Sequence, residues 1–171
     1  MSHKRQWWFG LVGLGLLGLG WLFGYSGGLD QSRLTYASTV TDAQGELLHV
    51  IMADDERYRL KTQPEDVDAS FVDLLMAYED QRYYQHHGVD WLAMTRALWQ
   101  VASRGYIVSG GSTLTMQVVR LMEPKPRTIW NKLDQMRKAI ALERSHSKQQ
   151  ILALYLSLAP YGSNIEGVQM A

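Results

Sequence analysis

Residues 76–90 read MAYEDQRYYQHHGVD, and residues 109–117 read SGGSTLTMQ. Upstream of the first stretch, Ser70 and Asp73 have the spacing of a helix-capping box, with Asp in the usual Glu place. Phe71, Leu75 and Glu79 then follow at i, i+4 and i+8, which predicts a helix whose apolar stripe ends in a carboxylate. On a core-facing stripe a carboxyl group loses hydration; its charged form is disfavoured and its pKa rises, as a general base or acid near neutral pH requires. Asp80, one residue on, points elsewhere around the helix. The competing reading is that Glu79 pairs with Arg82 or caps a local turn. His86 and His87 before Gly88 suit a polar helix end better than a metal site, because no third ligand stands at a recognised spacing.

The second stretch carries a different chemistry. Gly110 and Gly111 permit close backbone approach, and Ser112, Thr113 and Thr115 place hydroxyls just before an apolar run. Free N–H groups and hydroxyls can therefore converge on an anion at a helix start. The Lys-Ser/Thr ending of a Walker A loop is missing, and the same letters also spell an ordinary loop and N-cap.

Working outward, Thr39 to Ile51 reads as two short strands around a turn containing Gly45. Beyond it the pattern is mainly helical. Thr128 caps a predicted helix whose stripe is Ile129, Leu133, Met136 and Ile140, which leaves Lys132 and Gln135 together on another face. Ser147 with Gln150 forms a capping box for the next helix, which Pro160 and Gly162 end. At the other end of the chain, Lys4 and Arg5 precede Trp7, Trp8 and an uncharged apolar run to about Gly24. Its length is near the lower limit for crossing roughly 30 Å of hydrocarbon. Basic residues before it and aromatic residues at both ends predict an inside N-terminus. No small-x-small cleavage site closes the run, so the anchor is expected to stay attached. The organisation expected is an anchor over 1–28, a linker and hairpin region over 29–68, and a soluble domain over 69–171.

Cysteine is absent, so no disulfide or Cys-metal framework exists, and 17 Lys+Arg against 17 Asp+Glu gives no reason to propose nucleic acid. The charges are segregated. Acidic residues from Asp54 to Asp80 crowd the first half, and basic ones from Arg120 to Lys148 dominate the later part. A base in one half and anion contacts in the other suit a substrate with a pyrophosphate, although solvated helix faces produce some of the same pattern.

EDQRYYQHHG resembles the Glu-Asp-x-x-Phe-x-x-His-x-Gly motif of the peptidoglycan glycosyltransferases of family 51, and GGSTLTMQ resembles their Gly-Gly-Ser-Thr-Ile-Thr-Gln-Gln. NKLDQMRKAIALE and SKQQILALYLSLAPYG are similar to the third and fourth motifs, in the same order. The spellings Thr-Met-Gln, Gln-Met-Arg and Ala-Pro-Tyr-Gly look nearest to the C-type class A penicillin-binding proteins. Departures are Gln135 for the third-motif glutamate, Asn131 for Arg, Met116 for Gln, Ala153 for Glu and Ser157 for Asn. Gln135 cannot carry charge, and the C-type relatives share it.

The resemblance implies a mainly α, lysozyme-like glycosyltransferase domain with a short β-hairpin, preceded by one transmembrane helix. It implies that Glu79 removes a proton from the acceptor sugar hydroxyl while undecaprenyl pyrophosphate leaves the donor. Arg120, Arg127 and Lys132 match or adjoin the phosphate-binding basic positions, with the Ser112-Thr113 turn nearby and Gln135 supplying hydrogen bonds. Asp80, Arg82, His86 and Gln117 carry over as substrate-binding positions. A Mg²⁺ or Mn²⁺ ion fits the chemistry and no organic cofactor is implied. Implied partners are the lipid-linked peptidoglycan precursor, the bacterial cytoplasmic membrane with the domain on its outer face, and other cell-wall synthesis proteins. Trp91, Leu92, Met94, Trp99, Tyr106 and Ile107 are candidates for a membrane-proximal apolar region or for ordinary core. Relatives continue beyond the point where this sequence stops, so it reads as part of a longer protein. A membrane-anchored precursor-binding module without turnover and a lysozyme-like glycan hydrolase are the alternatives.

Overall fold

Short polar side chains set the helix starts. In the computed structural model, which describes residues 20, 24–25, 27–104 and 110–171, helix α1 (Ala69–Glu79) starts where the Asp68 carboxylate accepts the Ser70 N–H at 2.7 Å. Ser70 itself lies inside the helix. The expected Ser70–Asp73 box is therefore displaced by Asp68, whose short carboxylate reaches the orphan donor first. Asp90 accepts the Ala93 N–H at 2.9 Å ahead of α2 (Trp91–Arg104), and Thr113 caps α3 (Leu114–Met122) through the Met116 N–H. Thr128 caps α4 (Ile129–Ser145), and Ser147 with Gln150 makes both bonds of the expected capping box at α5 (Lys148–Leu158).

Helix α3 is the pillar of the domain. Leu114, Thr115, Met116, Val118 and Val119 are buried along it, and it packs on both α4 and α5. The core adds Tyr83, Val89, Met136, Ala139, Ile140, Leu142, Ile151, Leu152 and Leu156, with Phe71 and Leu75 of α1 packed against it from the side. Of the stripe expected on α4, Met136 and Ile140 are buried and Leu133 half-buried, but Ile129 is 79% exposed because the helix begins beyond the edge of the core.

The hairpin is as expected. Strands β1 (Ser38–Thr41) and β2 (Leu47–Ile51) pair antiparallel, and the Asp42 carboxylate accepts the Gln44 and Glu46 N–H groups across the turn. Gly45 there has φ +87°, a torsion glycine adopts without penalty. A second, unexpected sheet joins distant segments. β3 (Tyr58–Arg59) runs parallel to β5 (Ile165–Glu166), which pairs antiparallel with β4 (Pro160–Gly162). The guanidinium of Arg59, 4% exposed, is satisfied by Glu166, Asp55 and the Thr35 carbonyl. The departure at Ser157 is accommodated inside this region. Its buried hydroxyl accepts the Thr62 N–H at 2.9 Å and donates to the Ala153 carbonyl at 2.8 Å.

The predicted anchor, apart from Gly20, Gly24, Tyr25, Gly27 and Gly28, lies outside the described residues, as do Tyr106, Ile107 and Ser109. Among the described residues no helix is long and apolar enough to cross a membrane.

Candidate functional site

Glu79 is the last residue of α1, and the helix ends there because Asp80 leaves helical torsions at φ −159°, ψ 73°. The two neighbouring carboxylates consequently face different environments, and the burial expected for Glu79 falls to Asp80. Asp80 is 7% exposed. Its carboxylate accepts the Leu114 N–H at 2.9 Å and contacts His86 Nε2 at 3.0 Å. Glu79 is exposed at the rim of a cavity of about 370 Å³ and accepts a hydrogen bond from Gln117 Nε2 at 2.8 Å. Periodicity placed Glu79 on the right face, but a residue at the C-terminal end of a helix protrudes past the core that the same face covers earlier.

The glycine-hydroxyl segment is used differently from its first reading. The Leu114 N–H at the start of α3 is taken by Asp80, the Thr113 hydroxyl donates to the Gly88 carbonyl at 2.6 Å, and the Thr115 hydroxyl donates to Glu143 at 2.5 Å. The anion at this helix start is an internal carboxylate, which binds the first stretch to the second. Ser112 borders the cation-lined space, and its Oγ receives Lys132 Nζ at 2.5 Å.

Gly88 locks this arrangement against α4. Its φ is +86°, and a Cβ there would lie 2.6 Å from the Ala139 carbonyl carbon and 2.7 Å from the Ile140 nitrogen. On the far side, Glu143 also accepts from Lys148 at 2.7 Å, while the Tyr83 hydroxyl donates to the Lys148 carbonyl at 2.6 Å. All the motif segments are thus cross-linked by buried polar contacts. Glu143 and Tyr83 were absent from the candidate residues, though both lie within the motif stretches.

Ser112 also lines a second cavity of about 480 Å³, with Arg120, Arg127, Lys132 and Gln135 on its wall. The cations here fall in two sets. Lys125, Arg137 and Lys138 are neutralised by Asp134 and Glu123. Among the described residues Arg120, Arg127 and Lys132 have no carboxylate partner, so their field is free for an anion. Burial, followed by the charge of Arg120, holds the Lys132 pKa below the ordinary lysine value, which an incoming anion would reverse. Gln135 Nε2 donates to the Met116 carbonyl at 2.5 Å. A glutamate would confront that carbonyl with an acceptor, so the amide matches its neighbour.

Arg82 reaches the Glu79 cavity while ion-paired with Asp90 at 3.3 Å. His86 does not reach it. Buried behind Asp80, it lines a different cavity with Trp91 and Arg144. Beyond Gln117 and Arg120, Tyr155 and Tyr161 line a further hollow, and burial together with the charge of Glu79 pushes the Tyr155 phenol up to about 12. Sequence reading missed both tyrosines, although Tyr155 stands inside the fourth motif stretch. Among the described residues no group of three His, Asp or Glu side chains converges to hold a metal ion.

The comparisons agree with this architecture. The family model described as Transglycosylase matches residues 44–171. Penicillin-binding protein 1C of Escherichia coli (strain K12) is 42% identical over 114 residues, covering 67% of this chain and 15% of that protein. Penicillin-binding protein 1A/1B of Bacillus subtilis (strain 168) is 33% identical over 147 residues, covering 84% of this chain and 16% of the relative. Penicillin-binding protein 1A of Aquifex aeolicus (strain VF5) is 36% identical over 137 residues, 79% of this chain and 18% of that one. The chain thus spans under a fifth of the length of these relatives, and within that span it belongs to the transglycosylase family, as the glycosyltransferase domain of a class A penicillin-binding protein.

Proposed function

We propose that the domain polymerises peptidoglycan glycan strands by inverting glycosyl transfer between lipid-linked substrates on the outer face of the bacterial cytoplasmic membrane. One observation carries this reading: the exposed carboxylate of Glu79 and the unpaired cations Arg120, Arg127 and Lys132 line two cavities that meet at Ser112. Glu79, oriented by Gln117, takes the proton of the acceptor sugar hydroxyl as the oxygen attacks the donor anomeric carbon from the face opposite the leaving group. The bond between that carbon and the pyrophosphate oxygen breaks, and undecaprenyl pyrophosphate leaves with the electron pair. Arg120, Arg127 and Lys132 stabilise its developing charge. The cationic wall already supplies that neutralisation, so no step here is routed through Mg²⁺ or Mn²⁺.

A glycan hydrolase would need a second carboxyl group as partner to Glu79. The adjacent one, Asp80, is buried and committed to Leu114 and His86, which disfavours that reading. The test is polymer formation from labelled lipid-linked disaccharide-peptide by the anchored protein. Glu79→Gln should lower turnover by about 10²–10⁴-fold with precursor binding retained. Near-normal turnover in that variant would remove Glu79 as base, and binding with no turnover in the wild type would instead favour the binding-module reading.

A further inference from the structure

The cavity beside Glu79 is walled mostly by polar groups, among them Gln81, Arg82, Arg96 and Ser112, with the backbone of Gly110 and Gly111 between them. Among the described residues, Tyr78 brings to it the one aromatic ring. It stands in the last turn of α1, directly before Glu79, on the flank of the helix rather than on the Phe71–Leu75 stripe that packs against the core. Tyr78 is 84% exposed, and among the described residues its phenol has no hydrogen-bond partner. The fold therefore makes no use of this ring.

A sugar that gives up a hydroxyl proton to Glu79 must bring that oxygen within about 2.6–3.2 Å of the carboxylate, and adjacent Cα atoms are only about 3.8 Å apart. The sugar ring that bears the hydroxyl thus passes the Tyr78 side chain. A pyranose with equatorial substituents carries polar groups around its edge and a flat patch of C–H groups on its face. The cavity offers polar partners for the edge and a single aromatic face for the C–H patch, whose positive polarisation suits the negative face of a π-system.

We propose that Tyr78 is the acceptor platform: its ring stacks on the face of the acceptor pyranose and holds the reacting hydroxyl toward Glu79. The donor, held by its pyrophosphate among Arg120, Arg127 and Lys132, makes no use of this ring. The platform rests on the proposed role of the Glu79 cavity as the place where the acceptor sugar is deprotonated.

The test couples two single-role substrates on the full anchored chain in detergent. A lipid-linked disaccharide-peptide with its acceptor hydroxyl methylated serves only as donor, and one joined to its lipid through a non-cleavable phosphonate serves only as acceptor. Tyr78→Ala should raise the acceptor KM about tenfold or more while the donor KM and kcat stay within about twofold, and Tyr78→Phe should keep the wild-type acceptor KM. An unchanged acceptor KM in Tyr78→Ala overturns the platform, as does an equal rise for donor and acceptor. A Tyr78→Phe variant as poor as Tyr78→Ala assigns the contact to the phenol oxygen and overturns the stack. Binding of the acceptor analogue to Glu79→Gln, with and without Tyr78→Ala, keeps this separate from the base assignment. Near-normal turnover by Glu79→Gln removes Glu79 as base, yet binding about tenfold weaker on adding Tyr78→Ala still establishes the ring contact, and undiminished binding overturns it.

Discussion

Glu79 and Asp80 are neighbours in sequence, yet substituting them should separate chemistry from stability. Asp80→Ala removes the acceptor of the Leu114 N–H and of His86 from a side chain only 4% exposed. A buried hydrogen bond to a charged group contributes about 1.5–3 kcal/mol, and this substitution removes both the bond from the Leu114 N–H and the contact with His86 Nε2. A total of about 4 kcal/mol is a large share of the roughly 5–15 kcal/mol that a domain possesses, and it lowers the unfolding midpoint by roughly 8–16 °C at about 2–4 °C per kcal/mol. Glu79→Gln keeps an acceptor for Gln117 at an exposed position, so its midpoint should stay within about 2 °C, equivalent to an ordinary surface change. Thermal unfolding of both variants in detergent, followed by near-ultraviolet circular dichroism, makes the comparison. The reasoning fails if Asp80→Ala unfolds with the wild type, or if Glu79→Gln is the less stable of the two.

Gly88→Ala combines a left-handed torsion with a Cβ 2.6 Å from the backbone of Ala139; it should destabilise by about 2–5 kcal/mol, read from the urea midpoint. Ser157→Ala leaves the Thr62 N–H without its side-chain acceptor. About 1–3 kcal/mol should be lost, together with faster amide exchange at Thr62. The depressed pKa of Lys132 means that the folded chain holds this proton less tightly than the unfolded chain. The resulting destabilisation is complete below the folded value and is relieved as pH rises through it towards the ordinary 10.5. Wild-type stability relative to Lys132→Met should therefore climb with pH over that window, and a flat difference in urea midpoints would contradict the assigned burial.

What could be read from the sequence was mostly local. Thr128, the Ser147–Gln150 box and the Gly45 turn act within a few residues, so spacing alone identified them. The ordered motifs likewise hold residues that meet in pairs, Glu79 with Gln117 and Ser112 with Lys132. Misreadings came where a local pattern meets a non-local boundary. The stripe through Phe71 and Leu75 is real, but whether its last member is covered depends on where α3 and α4 end beside it, and Ile129 fails for the same reason at the other end of the core. The Gly-Ser-Thr stretch was recognised as a helix start that favours an anion. That the anion would be Asp80, 34 residues earlier, is a tertiary fact with no short-range signature. Nor does any periodicity announce a sheet whose Arg59 and Glu166 are 107 residues apart.

The Arg59 cluster and the Thr62–Ser157 bond have a mechanical consequence. Tension applied to the chain ahead of Thr35 meets the guanidinium that clamps Thr35, Asp55 and Glu166, and then the Thr62 amide held by α5, before it reaches Asp68 and the start of α1. These bonds tie the segment to α5 and the β5 strand, so a pull on the chain ahead of Thr35 is borne there. Glu79, at the opposite end of α1, is thereby shielded from movement of the chain ahead of Thr35.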